Sequence, residues 1–277
     1  MPGSTHPGFA DALVRRALAA SGARPGGGVR VLGISGLQGS GKSTLAAQVV
    51  AAATSAGLSA ATLSLDDVYL TAAQRRTLAR EVHPLLATRG PPGTHDVALA
   101  LRTIEALHAG GTPALPRFDK LGDDRLAAAR WPRPSRALDL LVFEGWCLGV
   151  PAEDAAALRA PLNALERDED PAGTWRGWCN EALARDYPPL WSRIDVLWFL
   201  QPPGFEVVQE WRWQQEQALA AATPGRTGMG RGQVDRFIRH FERTSRQALR
   251  TLPALADTLV RLDAARVPVA VEDRAGR

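Results

Sequence analysis

An α/β fold is what this sequence predicts: a doubly wound, mainly parallel sheet of about five strands with helices on both faces. Three observations carry that expectation. Short apolar runs at 29–34, 60–65, 138–145 and 194–200 alternate with longer segments of helical spacing. The first run feeds a glycine-rich turn that opens directly into an apolar-patterned helix. Two of the runs also end in carboxylates, Asp66 with Asp67 and Glu144, at the strand ends where ligands collect in such sheets.

The turn reads Gly36-Leu37-Gln38-Gly39-Ser40-Gly41-Lys42-Ser43-Thr44 and fits G-x-x-x-x-G-K-[ST], the P-loop, so the fold expected is that of the P-loop NTPases. Gly36, Gly39 and Gly41 are expected to let the backbone curl through positive φ and turn its N–H groups inward as an anion-binding nest, with Gln38 and Ser40 in the same turn. A helix beginning near Lys42 adds its N-terminal dipole and free N–H groups. Lys42 can reach the β/γ-phosphates, and the Ser43 hydroxyl can ligate Mg²⁺. Of 33 Lys+Arg, only Lys42 and Lys120 are lysine. A chain biased to arginine has kept a compact ammonium where a guanidinium serves poorly. An ordinary glycine turn is the plainer alternative, and a bound nucleoside triphosphate is the expectation.

Read in order, the chain opens with a helix over 9–20 and a Gly/Pro linker to residue 28. One domain is expected over 29–273, with a helical insertion at about 151–190 and a basic, flexible lid at about 223–232. After the P-loop helix comes the strand ending at Asp66 and Asp67. Asp66 reads as a base or Mg²⁺ partner rather than a helix cap, whereas for Asp67 cap and site weigh evenly. A helix over 71–82 follows, then a loop to Asp96, which is placed to cap the helix Val97–His108. The segment 113–125 reads as a charged loop, and Glu144, ending a buried strand, as a holder of Mg²⁺ or its waters. Long helices at 204–222 and 233–249 and last strands near 258–262 and 267–271 complete the chain. Trp211 and Trp213 read as packing residues rather than a base-stacking platform.

Composition narrows the function. A hydrophobic fraction of 45% supports a full core, and a net charge of +4 with interspersed signs suits anionic substrates without a nucleic-acid tract. Two cysteines, Cys147 and Cys179, lack metal or disulfide spacing. With no apolar run near membrane-spanning length and no leader-like N-terminus, a cytoplasmic protein is expected, without membrane or nucleic-acid partners. Nothing in the sequence sets the oligomeric state.

The motifs together resemble the D-glycerate 3-kinase family, a branch of P-loop kinases related to uridine kinases, phosphoribulokinases and pantothenate kinases. The resemblance lies in Gly36 to Thr44, Ser64-Leu65-Asp66-Asp67-Val68-Tyr69-Leu70-Thr71, Arg89 to Asp96, Pro116 to Lys120, Phe143 to Trp146, Trp211-Arg212 with Gln214 to Glu216, and Gly228-Met229 up to Phe241. It implies an ATP- and Mg²⁺-dependent kinase for D-glycerate, giving 3-phosphoglycerate. Lys42 and Ser43 would hold Mg-ATP, Asp66 would be the general base, and Ser43, Asp66 and Glu144 would share the metal. Tyr69, His95, Arg117, Asp119 and Lys120 would surround the acceptor. Arg212 and the arginines of 226–231 would neutralise phosphate charge. The chain departs from the family at Val68, Trp213 and Phe241, where an aromatic residue, a leucine and a tyrosine are expected. Val68 and Trp213 keep another acceptor open: a hydroxy acid, a nucleoside or a vitamin precursor. A nucleotide-dependent regulatory or assembly ATPase is the third reading.

Overall fold

The computed structural model describes residues 8–222 and 229–274. The chain runs through α1 (Asp11–Ala20), β1 (Arg30–Gly36), α2 (Lys42–Ser55) and β2 (Ala60–Ser64). A 3₁₀ turn, Leu65–Val68, leads to α3 (Ala72–Glu81) and α4 (Val97–His108). A short hairpin of β3 (Phe118–Asp119) and β4 (Asp124–Arg125) precedes β5 (Leu140–Gly145). Then come α5 (Ala164–Glu169), α6 (Thr174–Arg185), α7 (Pro188–Trp191) and β6 (Val196–Gln201). The chain ends with α8 (Val207–Ala222), α9 (Arg231–Leu255), β7 (Thr258–Leu262) and β8 (Pro268–Asp273).

The main sheet has six strands in the order β2-β5-β1-β6-β7-β8, parallel throughout except for β8. About five parallel strands were expected. The sixth runs antiparallel because only the turn 263–267 joins it to β7, too short for a crossover. Side chains alternate between two cores, one on each face of the sheet. Leu32, Ile34, Leu140, Val142, Trp198 and Leu200 face one; Val31, Leu141, Phe143, Leu197 and Phe199 face the other. The N-terminal helix belongs to the first: Phe9, Leu13, Val14 and Ala17 share it with Leu45, Val49 and Ala53 of α2.

The segment expected as a loop over 113–125 contains the β3–β4 hairpin, whose two-residue strands leave no periodic trace in the sequence. The insertion over 151–190 is indeed helical, and Arg243 of α9 ties it down through Glu166 at 2.6 Å and Glu153 at 3.1 Å. Helix α9 is longer than the 233–249 expected and takes in Arg231 and Gly232, so the end of the proposed lid is its first turn. Positions 223–228 of that lid, with Arg226, lie outside the described residues. No helix among the described residues is long and apolar enough to cross a membrane.

Candidate functional site

The phosphate-binding turn joins the central strand β1 to α2. Gly39 and Gly41 take φ of 85° and 88°, as the nest requires. Gly36 does not enter the left-handed region, contrary to expectation. It must be glycine for space, since a Cβ there would sit 2.5 Å from Ser40 Oγ and 3.1 Å from Leu200 Cβ. Among the described residues no side chain caps the N-terminus of α2, so its first N–H groups are open to an anion. Lys42 starts that helix, and Ser43 and Thr44 continue its first turn.

Glu144 stands on β5 in register with Ile34 of β1 and Ser64 of β2, which brings three strand ends into one row. Its Oε1 accepts a 2.9 Å hydrogen bond from Ser43 Oγ. Its Oε2 is buried without a hydrogen-bond partner among the described residues, as are Ser40 Oγ and both polar atoms of the Gln38 side chain. Orphaned buried oxygens beside a bare helix N-terminus fit a cation and the phosphates it accompanies. Among the described residues no three His, Cys, Asp or Glu side chains gather as a metal site. That donor set suits a hard cation such as Mg²⁺, which takes one or two protein oxygens and keeps phosphate and water as its other ligands.

Beyond β2 the adjacent aspartates divide their work. Asp67 turns back: its carboxylate accepts from Ser64 N at 3.4 Å, Phe118 N at 3.2 Å and Arg117 Nη1 at 3.2 Å. With Ser64 Oγ accepting from the turn, this is a capping box, which decides the balance for Asp67 toward a cap. Asp66 faces the other way. Its Oδ1 accepts from the Tyr69 hydroxyl at 2.6 Å and its Oδ2 from Lys120 Nζ at 2.7 Å. Burial works to raise the Asp66 carboxyl. The ammonium groups of Lys120 and Lys42, with the Lys120 and Tyr69 hydrogen bonds, outweigh it and hold the group well below the usual carboxylate range. Asp66 in return raises Lys120.

A buried aromatic column stands behind this pair. Tyr69 stacks on His95 with centroids 4.7 Å apart and meets the edge of Phe118 at 5.2 Å. Backbone hydrogen bonds pin the loop 89–96 alongside: Leu70 N to Thr94 O at 2.9 Å and Asp96 N to Val68 O at 2.7 Å. His95 Nδ1 lies 2.7 Å from the Tyr187 hydroxyl, which also accepts from Gly93 N at 3.0 Å. Taking Nδ1 as the acceptor for the hydroxyl hydrogen assigns the ring proton to Nε2, a buried atom with no partner among the described residues. Burial pushes this imidazole down to about 4 against the opposing pull of Asp66, so it is neutral.

The remaining expected residues divide. Lys120 joins Asp66. Arg117 is committed to Asp67, to Pro116 O at 2.7 Å and to Thr62 O at 3.2 Å, tying the hairpin to β2. Asp119 accepts from Leu121 N at 3.0 Å inside the hairpin turn. Arg212 pairs with Glu216 one turn along α8 and lies 5.4 Å over the Phe237 ring. Asp96 caps α4 as expected, accepting from Leu99 N at 2.9 Å. Val68 is wholly buried in the core and has no surface for an acceptor, and Trp213 packs partly buried against the same core.

Sequence reading missed Tyr187, although the chain has only 2 tyrosines, Tyr69 and Tyr187, and both engage His95. It also missed what holds Lys120 in place. Buried Arg75 donates to Leu70 O at 2.7 Å and Asp123 Oδ2 at 2.7 Å, and Arg89 also pairs with Asp123. Both guanidinium groups lie over Phe118, at 5.6 Å and 5.5 Å.

A phosphate cradle that faces an anionic aspartate across two lysines is built to pass a phosphoryl group to a hydroxyl. The class is therefore a P-loop kinase, an ATP-dependent phosphotransferase with an alcohol as acceptor. No protein-family model matches the sequence. The chain is 35% identical over 227 residues to the uncharacterized kinase mug58 of Schizosaccharomyces pombe, covering 79% of this chain and 80% of that one. It is 30% identical over 241 residues to the chloroplastic D-glycerate 3-kinase of Arabidopsis thaliana, covering 81% of this chain and 48% of that longer protein. The structure of D-glycerate 3-kinase from Cryptococcus neoformans superposes with a TM-score of 0.72 at 26% identity, over 95% of this chain and 97% of the other. The chain belongs to the D-glycerate 3-kinase family of P-loop kinases.

Proposed function

We propose that this kinase phosphorylates D-glycerate to 3-phosphoglycerate, with Mg-ATP on the P-loop and Asp66 as general base. The observation that carries the reading is the Asp66 carboxylate, kept anionic between Lys120 and Tyr69 and within the field of Lys42. The relatives named D-glycerate 3-kinase support the choice of acceptor.

The acceptor hydroxyl displaces Lys120 from Asp66 Oδ2 and donates its hydrogen there, which orients an oxygen lone pair toward the γ-phosphorus. As the new O–P bond forms, the bond from the γ-phosphorus to the bridging oxygen breaks, ADP leaves with that electron pair, and Asp66 takes the hydroxyl proton. Release of Lys120 removes the largest influence holding the Asp66 carboxyl low, so burial moves it upward as the acceptor binds. Positioning and charge neutralisation carry most of a loose transition state. The released Lys120 ammonium pairs with the acceptor carboxylate, and the neutral His95 donates from Nε2 to an acceptor oxygen. Lys42 and the open N–H groups of α2 bind the β/γ-phosphates. Ser43 and Glu144 would hold Mg²⁺, which would supply charge neutralisation at the phosphates when bound. Asp66, taken up by Tyr69 and the acceptor hydroxyl, is left out of the three residues expected at the metal. Arg212, eased from Glu216, would add positive charge in a closed state, and Tyr69, Arg117 and Asp119 shape the wall around the acceptor. The acceptor is a small molecule; neither nucleic acid nor membrane enters this reading, and the location is cytoplasmic.

A coupled ADP-release assay with Mg-ATP and D-glycerate, L-glycerate, uridine and pantothenate tests it. D-glycerate-dependent turnover with the phosphate on O3 by NMR is the expected result. Turnover with another acceptor alone overturns the substrate, and acceptor-independent hydrolysis overturns the kinase reading.

A further inference from the structure

The turn between β7 and β8 reaches the phosphate-binding loop through one side chain. Arg266 sits in the left-handed region at φ 69° and is only 7% exposed. Side chains other than glycine and asparagine avoid that region unless something holds them there. The backbone of the turn does not require an arginine. Asp263 Oδ1 accepts from Ala265 N and from Val267 N, both at 2.8 Å, and Arg266 N donates to Asp263 O at 3.0 Å. Glycine would close such a turn without strain.

The side chain supplies the reason. Arg266 Nε donates to Gly39 O at 2.8 Å across 227 positions of sequence, and Nη2 donates to Gln214 Oε1 at 2.8 Å. Its guanidinium lies 5.1 Å over the Trp211 ring, whose Nε1 donates to Ala264 O at 2.8 Å. Trp211 presses on the same glycine: a Cβ on Gly39 would stand 2.6 Å from Trp211 Cβ. Gly39 is therefore held by a hydrogen bond at its carbonyl and by packing at its α-carbon.

That carbonyl belongs to the peptide joining Gly39 to Ser40. In a trans peptide the C=O and N–H point in opposite directions. Glycine places little steric resistance on rotation of this plane, whose Ser40 N–H closes the loop by donating to Leu37 O at 3.1 Å. A rotated plane would break that bond, set two carbonyl oxygens against each other and distort the anion-binding nest. We propose that Arg266 is a positioning residue of the nucleotide site, holding the Gly39 carbonyl so that the phosphate-binding loop stays in its anion-accepting conformation. The apparent affinity for phosphates scales with the fraction of molecules in that conformation. The inference rests on the triphosphate site and not on the acceptor. Phosphate binding therefore stays measurable if every acceptor in the panel fails.

The test is calorimetric binding of Mg-ATP and of inorganic tripolyphosphate to the parent and to Arg266→Met, which keeps an apolar stem over Trp211. Loss of a charge-assisted hydrogen bond predicts weaker binding of both ligands by about tenfold or more, and by a similar factor for each. The acceptor KM and the thermal midpoint should stay near the parent's. Unchanged tripolyphosphate affinity overturns the proposal. So does a loss confined to ATP, which would put Arg266 at the nucleoside end, or a joint fall in acceptor affinity and thermal midpoint, which would make its role structural. Should Arg266→Met not fold, Arg266→Lys keeps the cation but not the two-pronged geometry. It should weaken tripolyphosphate by an intermediate factor, and parent-like affinity there overturns the proposal equally.

Discussion

Lys120 Nζ sits 2.7 Å from Asp66 Oδ2, joining the second lysine of the chain to the carboxylate beside the first. The Lys120 side chain is 61% exposed and that of Asp66 24%. The lysine can therefore swing away without leaving a bare charge buried, whereas the aspartate stays in place. Asp66 is thus saturated by Lys120 and Tyr69 until an acceptor arrives.

Asp66→Asn preserves the shape of this acceptor of hydrogen bonds and removes its charge. Turnover should fall by about 10² or more while Mg-ATP affinity stays near the parent's, as loss of a general base predicts. The comparison is kcat against the calorimetric Kd for Mg-ATP. Unchanged kcat would remove Asp66 from the chemistry.

Lys120→Met separates positioning of the acceptor from binding of the nucleotide. A lost charge-assisted contact should raise the acceptor KM about tenfold or more, with the KM for Mg-ATP little changed. The same change removes the largest influence lowering the Asp66 carboxyl, so burial moves that group upward. Activity should then decline as pH falls through the raised value, giving an acid limb in kcat/KM that the parent lacks in the same window. A profile identical to the parent's would place Lys120 outside the site.

Glu144→Gln keeps an oxygen for the Ser43 hydroxyl and loses the negative charge. The Mg²⁺ concentration for half-maximal activity should rise about tenfold, in the range that supporting ligands contribute to metal affinity. Titrating Mg²⁺ at saturating ATP checks this, and an unshifted midpoint would remove Glu144 from the metal.

The parts of the site legible in the sequence are those whose chemistry is contiguous. The P-loop, the strand ends and the Asp96 cap each occupy a few adjacent residues, and the apolar runs around them carry the sheet. Asp66 and Asp67 look alike in sequence and differ only in what folds back onto them: Arg117 and Phe118 onto one, Lys120 and Tyr69 onto the other. The hairpin that delivers Lys120 has strands too short to show a period. Tyr187 and Arg266 act across 92 and 227 positions, separations at which no local pattern reports a contact.

His95 gives the fold a dependence on acid. Its imidazole is 5% exposed and burial pushes it down to about 4, whereas the unfolded chain titrates near the ordinary value of about 6.5. Between those values the unfolded state binds more protons, so stability rises with pH. The contribution is fully present above about 6.5 and is lost as pH falls toward 4, at most about 3 kcal/mol for this group. His240, also lowered by burial, acts in the same direction. His95→Gln should therefore flatten the change in unfolding free energy between pH 7 and pH 4.5 without abolishing it. Urea denaturation at the two pH values measures this, and an undiminished slope in the variant would assign the acid sensitivity to other groups.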